Sequence, residues 1–226
     1  MPKISMYYMP ESPPCRAVQM VASLLDIDLE LKYLNLAEGE HLKGMLPTVN
    51  RLCLVPTIVL DGPDPFVLWE SRAILKFLVD SFASETVREQ LYPRDPKKRA
   101  KIDQMMDFDL GILYSRQGSC LRPLLQGQKI DPLNEVKFKE ALDHLDMFLE
   151  KNEFVCGDQM TLADISIRAG LTFAEACVYD FVPYERVTDW MERVEHSIPQ
   201  YHDINHDAMT RFTDYVNQKV LDGNKS

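Results

Sequence analysis

Strand-type sequence ends early in this chain, and that one change limits the folds open to it. Before residue 83, short runs rich in β-branched and aromatic residues alternate with helical spacing; after residue 96 only helical spacing remains. Runs at 4–8, 29–34, 57–60 and 66–68 read as strands, and Asp61-Gly62-Pro63-Asp64 between the last two is a hairpin signal. Segment 13–25 sets Ala17, Met20, Val21, Leu24 and Leu25 on one face, and 71–82 repeats the helical period. The order is β-α-β, then β-β-α. Polar residues with Pro93 and Pro96 follow and read as a linker. Helical patterns then cover 97–118, 134–151, 162–177, 184–196 and 206–220. The expected architecture is α/β plus all-α: a small domain over 1–83, a linker over 84–96 and an all-helical domain over 97–226.

The 226 residues suffice for two modest domains with real cores, and 46% hydrophobic with 27% charged residues is ordinary for a soluble globular chain. A formal net charge of −10 repels phosphate backbones and argues against a nucleic-acid partner. The basic run Lys97-Lys98-Arg99 with Lys101 sits beside acidic residues and reads as a solvated helix face. Cys15, Cys53, Cys120, Cys156 and Cys177 are odd in number, widely spaced and without metal-type pairing. They read as free thiols in a reducing compartment, with no metal expected. No stretch has the length and apolarity of a membrane span, and the N-terminus lacks a signal-peptide pattern, so the expectation is cytoplasm and no membrane.

Four short motifs stand where chemistry is possible. Ser12-Pro13-Pro14-Cys15 follows the first strand and opens the first helix, with serine as N-cap and proline at the first helical positions. That is also how an ordinary capped helix begins. In a thioredoxin-like domain a redox Cys-x-x-Cys occupies this junction; with serine first, no dithiol forms here. A hydroxyl at a helix N-terminus donates to an anion in a field that favours negative charge. Val55-Pro56-Thr57 precedes a strand, either as plain loop or as the cis-proline bend of a thioredoxin-like domain, where valine backbone groups pair with an extended peptide. Glu70-Ser71-Arg72 opens a helix, reading either as a surface charge pair or as a site for a zwitterionic amino-acid head. Thr161-Leu162-Ala163-Asp164 has capping-box spacing, flanked by Met160 and Ile165 at the staple positions, and reads as purely structural. His41 is a lone histidine near a loop, where a surface or core role is the ordinary one.

Taken in order, these residues resemble the insect delta and epsilon classes of cytosolic glutathione S-transferase. The resemblance runs over nearly the whole chain: Ser12 with Pro14-Cys15-Arg16-Ala17-Val18-Gln19-Met20, Gly39-Glu40-His41, Val55-Pro56-Thr57, Phe66-Val67-Leu68-Trp69-Glu70-Ser71-Arg72-Ala73-Ile74, Leu91-Tyr92-Pro93-Arg94-Asp95-Pro96 and Thr161-Leu162-Ala163-Asp164. It implies an N-terminal thioredoxin-like, glutathione-binding domain and a C-terminal all-helical domain, assembled as a homodimer. It makes Ser12 the catalytic hydroxyl beside the glutathione thiolate and Val55, next to cis Pro56, the backbone partner of its cysteinyl residue. Glu70, Ser71 and Arg72 would meet the γ-glutamyl head, and His41, Cys53 and Leu54 would stand toward the glycyl end. Pro13, Phe108, Ile112, Ser115, Phe212 and Tyr215 would line the hydrophobic-substrate site.

Two departures bear on function. The family's Asn-Pro-Gln-His stretch is Asn50-Arg51-Leu52-Cys53 here, so a thiol replaces an imidazole near the glycyl carboxylate. Asp107, Gln117, Ser119 and Cys120 stand at or near positions where the family carries aromatics, while Phe108 and Tyr114 remain; the expected pocket is more polar or roomier. The resemblance implies conjugation of glutathione thiolate to hydrophobic electrophiles, as in detoxification, xenobiotic or insecticide metabolism. A carrier of hydrophobic ligands, a glutathione-dependent peroxidase or isomerase, and a thiol transferase using Cys15 stand as the alternatives.

Overall fold

Strand β1 (Ile4–Tyr8) lies at the heart of a four-stranded sheet, with Ile4, Ser5 and Met6 all buried. The computed structural model describes residues 3–223. The other strands are β2 (Leu29–Tyr33), β3 (Thr57–Leu60) and β4 (Phe66–Trp69), in the order β2-β1-β3-β4. β1 runs parallel to β2 and antiparallel to β3, and β3 runs antiparallel to β4. Parallel neighbours need a crossover, and helix α1 (Pro13–Leu24) supplies it with Ala17, Val18, Met20 and Val21 buried. The short α2 (Leu46–Val49) and a single 3-10 turn at Glu40–Leu42 fill the long connection to β3, and α3 (Ser71–Phe82) follows β4.

The stretch read as a linker is folded. Its polar composition hides α4 (Glu85–Leu91), capped by the Ser84 side chain, which accepts from the Val87 N–H. Leu91 and Tyr92 are buried; the Tyr92 O–H donates to Asp103 at 3.0 Å, and the Arg99 guanidinium lies 4.0 Å from its ring. Only one side of this segment meets the core, so its hydrophobic signal is too thin to read from periodicity.

Helices follow as expected in type: α5 (Pro96–Phe108), α6 (Tyr114–Leu121), α7 (Pro132–Phe148), α8 (Leu162–Ala176), α9 (Glu185–Ser197) and α10 (Tyr201–Gly223). The single helix expected over 97–118 is broken by a π turn at Asp109–Leu113, and the last helix begins five residues before the expected 206. Helix α8 is buried along nearly its whole length and packs against α1, so sheet domain and helical domain share one continuous core.

Two buried carboxylates tie the helical domain together. Asp164, at the start of α8, accepts from the Val155 N–H (2.9 Å), the Thr161 N–H (2.8 Å), the Thr161 hydroxyl (2.9 Å) and Trp190 Nε1 (2.9 Å). Asp109, in the π turn, accepts from Arg72 Nε (3.2 Å) and Nη2 and from the Ser166 hydroxyl (2.7 Å), joining α3, the π turn and α8. Burial pushes both carboxyls up, against the opposing pull of those donors. Asp164→Ala strands four donors and is expected to cost about 3 kcal/mol or more, whereas Thr161→Ala, which removes only the hydroxyl, costs about 1 kcal/mol. Asp109→Ala leaves the Arg72 charge unpaired and half-sealed, with an expected loss of about 3 kcal/mol. Urea midpoints at constant m-value check all three.

Candidate functional site

Strand register brings the expected site residues to one edge of the sheet. Thr57 pairs with Tyr7 on one side and Trp69 on the other, and Tyr8 pairs with Tyr33. The chain leaving β1 toward Ser12, the chain entering β3 through Val55-Pro56, the chain leaving β4 at Glu70-Ser71 and the chain leaving β2 toward His41 therefore emerge side by side.

Ser12 is the N-cap of α1, yet its side chain caps no backbone N–H; its carbonyl accepts from the Cys15 and Arg16 N–H groups instead. The hydroxyl is left at a helix N-terminus, where the field favours an anion. Cys15 lies one turn further on and is fully buried, and burial pushes its thiol up to about 11, so at neutral pH it is a neutral apolar group. The same helix end thus carries an open hydroxyl and a sealed thiol.

The Val55–Pro56 bond is cis, and the Val55 N–H and C=O bond to no other backbone group among the described residues. The loop before it is held by Asn50, whose buried side chain donates to Thr57 Oγ1 (2.9 Å) and the Leu54 carbonyl (3.3 Å) and accepts from the Leu52 N–H (3.0 Å). Its organising role was not legible from sequence, since a buried amide looks like any loop asparagine until its partners are in place. Leu54 exposes its side chain while its carbonyl is taken by Asn50 and Thr57. Cys53 stands in the left-handed region (φ 54), with Sγ 3.8 Å from the Arg51 carbonyl oxygen. Across from this loop the 3-10 turn packs against α2 and presents His41, whose Nδ1 is buried with no partner among the described residues.

Glu70, left-handed at φ 71, turns the chain into α3 and accepts the Ile74 N–H at 2.9 Å. A non-glycine residue held there is strained, and such residues gather at ligand sites. The first-turn amides of α3 beside Ser71 have no intrahelical partner and suit a carboxylate. Arg72 corrects the expectation set for it. Its guanidinium is committed to Asp109 and lies 5.9 Å from the Tyr114 ring, so it braces the site from the helical domain rather than offering a free charge.

The six residues expected around a hydrophobic substrate do not form one wall. Pro13 opens α1, and Phe212 and Tyr215 stack on α10 at 6.4 Å, with Phe212 also stacked on Phe173 at 5.7 Å. Arg211 donates to Glu11 at 3.0 Å, which pins α10 to the turn carrying Ser12. Phe108 and Ile112, however, face a cleft of about 900 Å³ with Met147 and Phe148, and Phe108 meets Phe148 edge-on at 5.2 Å. Ser115 belongs to a different cleft, with Tyr114 and Arg122. The π turn is the cause: an added residue per turn rotates everything after 113 away from the face that α-helical extrapolation assigns. Tyr114, kept among the aromatics but not placed in the site, is the residue that rotation brings in. It sits against α8 where Gly170 has no side chain; a Cβ there would be 3.3 Å from the Tyr114 ring.

Among the described residues no group of three or more His, Cys, Asp or Glu side chains is placed to hold a metal ion, and no helix is long and apolar enough to cross a membrane.

Residues 11–81 match the family described as Glutathione S-transferase, N-terminal domain, and residues 102–197 match Glutathione S-transferase, C-terminal domain. The chain is 38% identical to Glutathione S-transferase D7 of Anopheles gambiae over 189 residues, 83% of this chain and 84% of that protein. It superposes on a delta-class glutathione transferase of Nilaparvata lugens with a TM-score of 0.88 at 38% identity, covering 96% of this chain and 99% of the other. An epsilon-class enzyme of the housefly, Musca domestica, gives a TM-score of 0.84 at 30% identity, covering 96% and 98%. With both halves of the fold matched and that identity sustained across both, the chain belongs to the glutathione S-transferase family, a family of transferases.

Proposed function

We propose that this protein conjugates glutathione to small electrophilic compounds, with Ser12 as its catalytic residue. The observation that carries this reading is the contrast at the start of α1: an uncommitted hydroxyl at Ser12 and a buried, protonated thiol at Cys15. Glutathione brings its own sulfur, so the protein needs no nucleophile. It needs a donor that stabilises the thiolate and a frame that holds it. The Ser12 hydroxyl, aided by the helix N-terminus, lowers the pKa of the bound thiol. Val55 pairs its free N–H and C=O with the cysteinyl backbone, beside Pro56. Glu70 accepts from the γ-glutamyl ammonium, and Ser71 and the first amides of α3 hold its carboxylate, while Arg72 keeps that helix end in place through Asp109. At the glycyl end the unpartnered His41 ring nitrogen offers a polar contact, and Cys53 and Leu54 complete the loop around it. The electrophile lies between Pro13, Phe212, Tyr215 and Tyr114. Delta- and epsilon-class likeness supports a role in detoxification, in the cytoplasm. The edge strand β4, with Phe66 and Trp69 both exposed, supports pairing with a second copy as a homodimer.

Ser12→Ala is expected to lower kcat/KM for conjugation of an aryl halide by roughly tenfold to a thousandfold. It should also raise the pKa of the bound thiol, read from the pH profile or from thiolate absorbance, because the anion loses its donor. Cys15→Ala should leave turnover within about threefold and lower the melting temperature through the cavity left behind. Abolished turnover in Cys15→Ala, together with a mixed disulfide between Cys15 and glutathione in the parent protein, would replace conjugation by thiol transfer. Cys53→His is expected to lower the glutathione KM, since an imidazole is a stronger donor to a carboxylate than a neutral thiol; an unchanged KM would leave that end to His41.

A further inference from the structure

The cleft beside Tyr114 is poorly suited to a purely apolar compound. It holds about 490 Å³, and its walls include Tyr114, Ser115, Ser119, Arg122, Gln126 and Gln128. No carboxylate lines it, although the chain carries a net charge of −10. Arg122 is exposed and unpaired by any acid; its guanidinium lies 6.0 Å from the Tyr114 ring and bonds to the Tyr114 hydroxyl. Arg116, on the same helix, is by contrast committed to Glu140 at 3.0 Å. The posture of Arg122 depends on Gly118: a Cβ there would stand 3.2 Å from Arg122 Nε and 3.3 Å from Cζ, so only the missing side chain lets the guanidinium lie back along α6.

The position of the cleft links it to the reacting centre. Tyr114, one wall, is touched by the Arg72 guanidinium one residue from Ser71. The 3-10 turn Arg122–Gln126, the other wall, packs on α10, which carries Phe212. A substituent on the electrophile, pointing away from the carbon under attack, would enter a space with one uncompensated positive charge and several hydroxyl and amide donors. Such a space suits an acceptor with negative charge.

We propose that Arg122 makes this cleft the recognition subsite for an anionic substituent, a carboxylate, on the electrophile. The inference rests on the conjugation reading above and names its substrate class. In the reaction the glutathione thiolate attacks an aryl carbon bearing chlorine. The C–S bond forms, the C–Cl bond breaks, chloride leaves, and the thiol proton has already passed to solvent. Arg122 takes no part in those bonds; it holds the remote carboxylate so that the reacting carbon faces the sulfur.

The test compares 4-chloro-3,5-dinitrobenzoate with its methyl ester, each kcat/KM divided by the uncatalysed rate of that compound with glutathione. The parent protein is expected to favour the carboxylate about tenfold, the scale of one charge-assisted hydrogen bond at a half-open site. Arg122→Gln should abolish that preference while the ester rate and the glutathione KM stay within about twofold, since neither depends on the lost charge. Gly118→Ala, which keeps the charge but displaces the guanidinium, should lower the preference as well. Turnover of the ester with no preference for the carboxylate, or an equal loss on both substrates in Arg122→Gln, would overturn the subsite and leave the transferase reading intact. No catalysed turnover of either compound would overturn the transferase reading and the subsite with it.

Discussion

Helix α1 is clasped between the sheet and α8, and the chemistry at its N-terminus depends on that clasp. Arg16 shows how firmly the arrangement is specified. Its side chain is fully buried, and burial pulls its pKa down to about 10. It has no carboxylate partner; it donates instead to Asn205 on α10 (2.9 Å), to the Pro10 carbonyl (2.7 Å) and to Thr172 on α8. A buried guanidinium is costly unless its donors are met. These acceptors come from three separate parts of the chain, so meeting them requires α1, α8 and α10 to be in place together. Ser12, one turn earlier, inherits a fixed position as a result.

That fixed position separates two groups which sequence alone leaves in competition. Serine and cysteine share one helix end and one favourable field. The core decides between them: α1 turns Cys15 inward, where desolvation keeps it protonated, and leaves the Ser12 hydroxyl at the open edge where four loops meet. The field at a helix terminus is useful only to a group that can also reach a ligand. Burial therefore outranks intrinsic nucleophilicity here.

On the helical side, the π turn at Asp109–Leu113 has the comparable effect. Asp109 is drawn inward to Arg72 and Ser166, and the extra residue in the turn rotates the following helix. Phe108 and Ile112 end against Phe148, and Tyr114 and Arg122 come round toward the glutathione side. A buried ion pair thus determines which side chains an electrophile meets, and the result is a cleft more polar than the apolar spacing of the fourth helical segment suggests.

Local patterns carried the architecture. The strands Ile4–Tyr8 and Thr57–Leu60 and the helix Ser71–Phe82 stand at the boundaries their periodicity implies, because side-chain alternation and the Asp61-Gly62-Pro63-Asp64 turn are properties of adjacent residues. Ser12, Val55 and Glu70-Ser71 were legible for the same reason: each sits at an element boundary whose backbone groups are free by construction. What could not be read there involved residues distant in sequence. The helix hidden at Glu85–Leu91, the role of Asn50 under the Val55 loop, the diversion of Arg72 to Asp109 and the regrouping of Phe108, Ile112 and Ser115 all depend on partners brought close only by folding. The sequence determined which residues were available at the site; tertiary structure decided which were free to act, because burial and pairing are set by neighbours that no local pattern specifies.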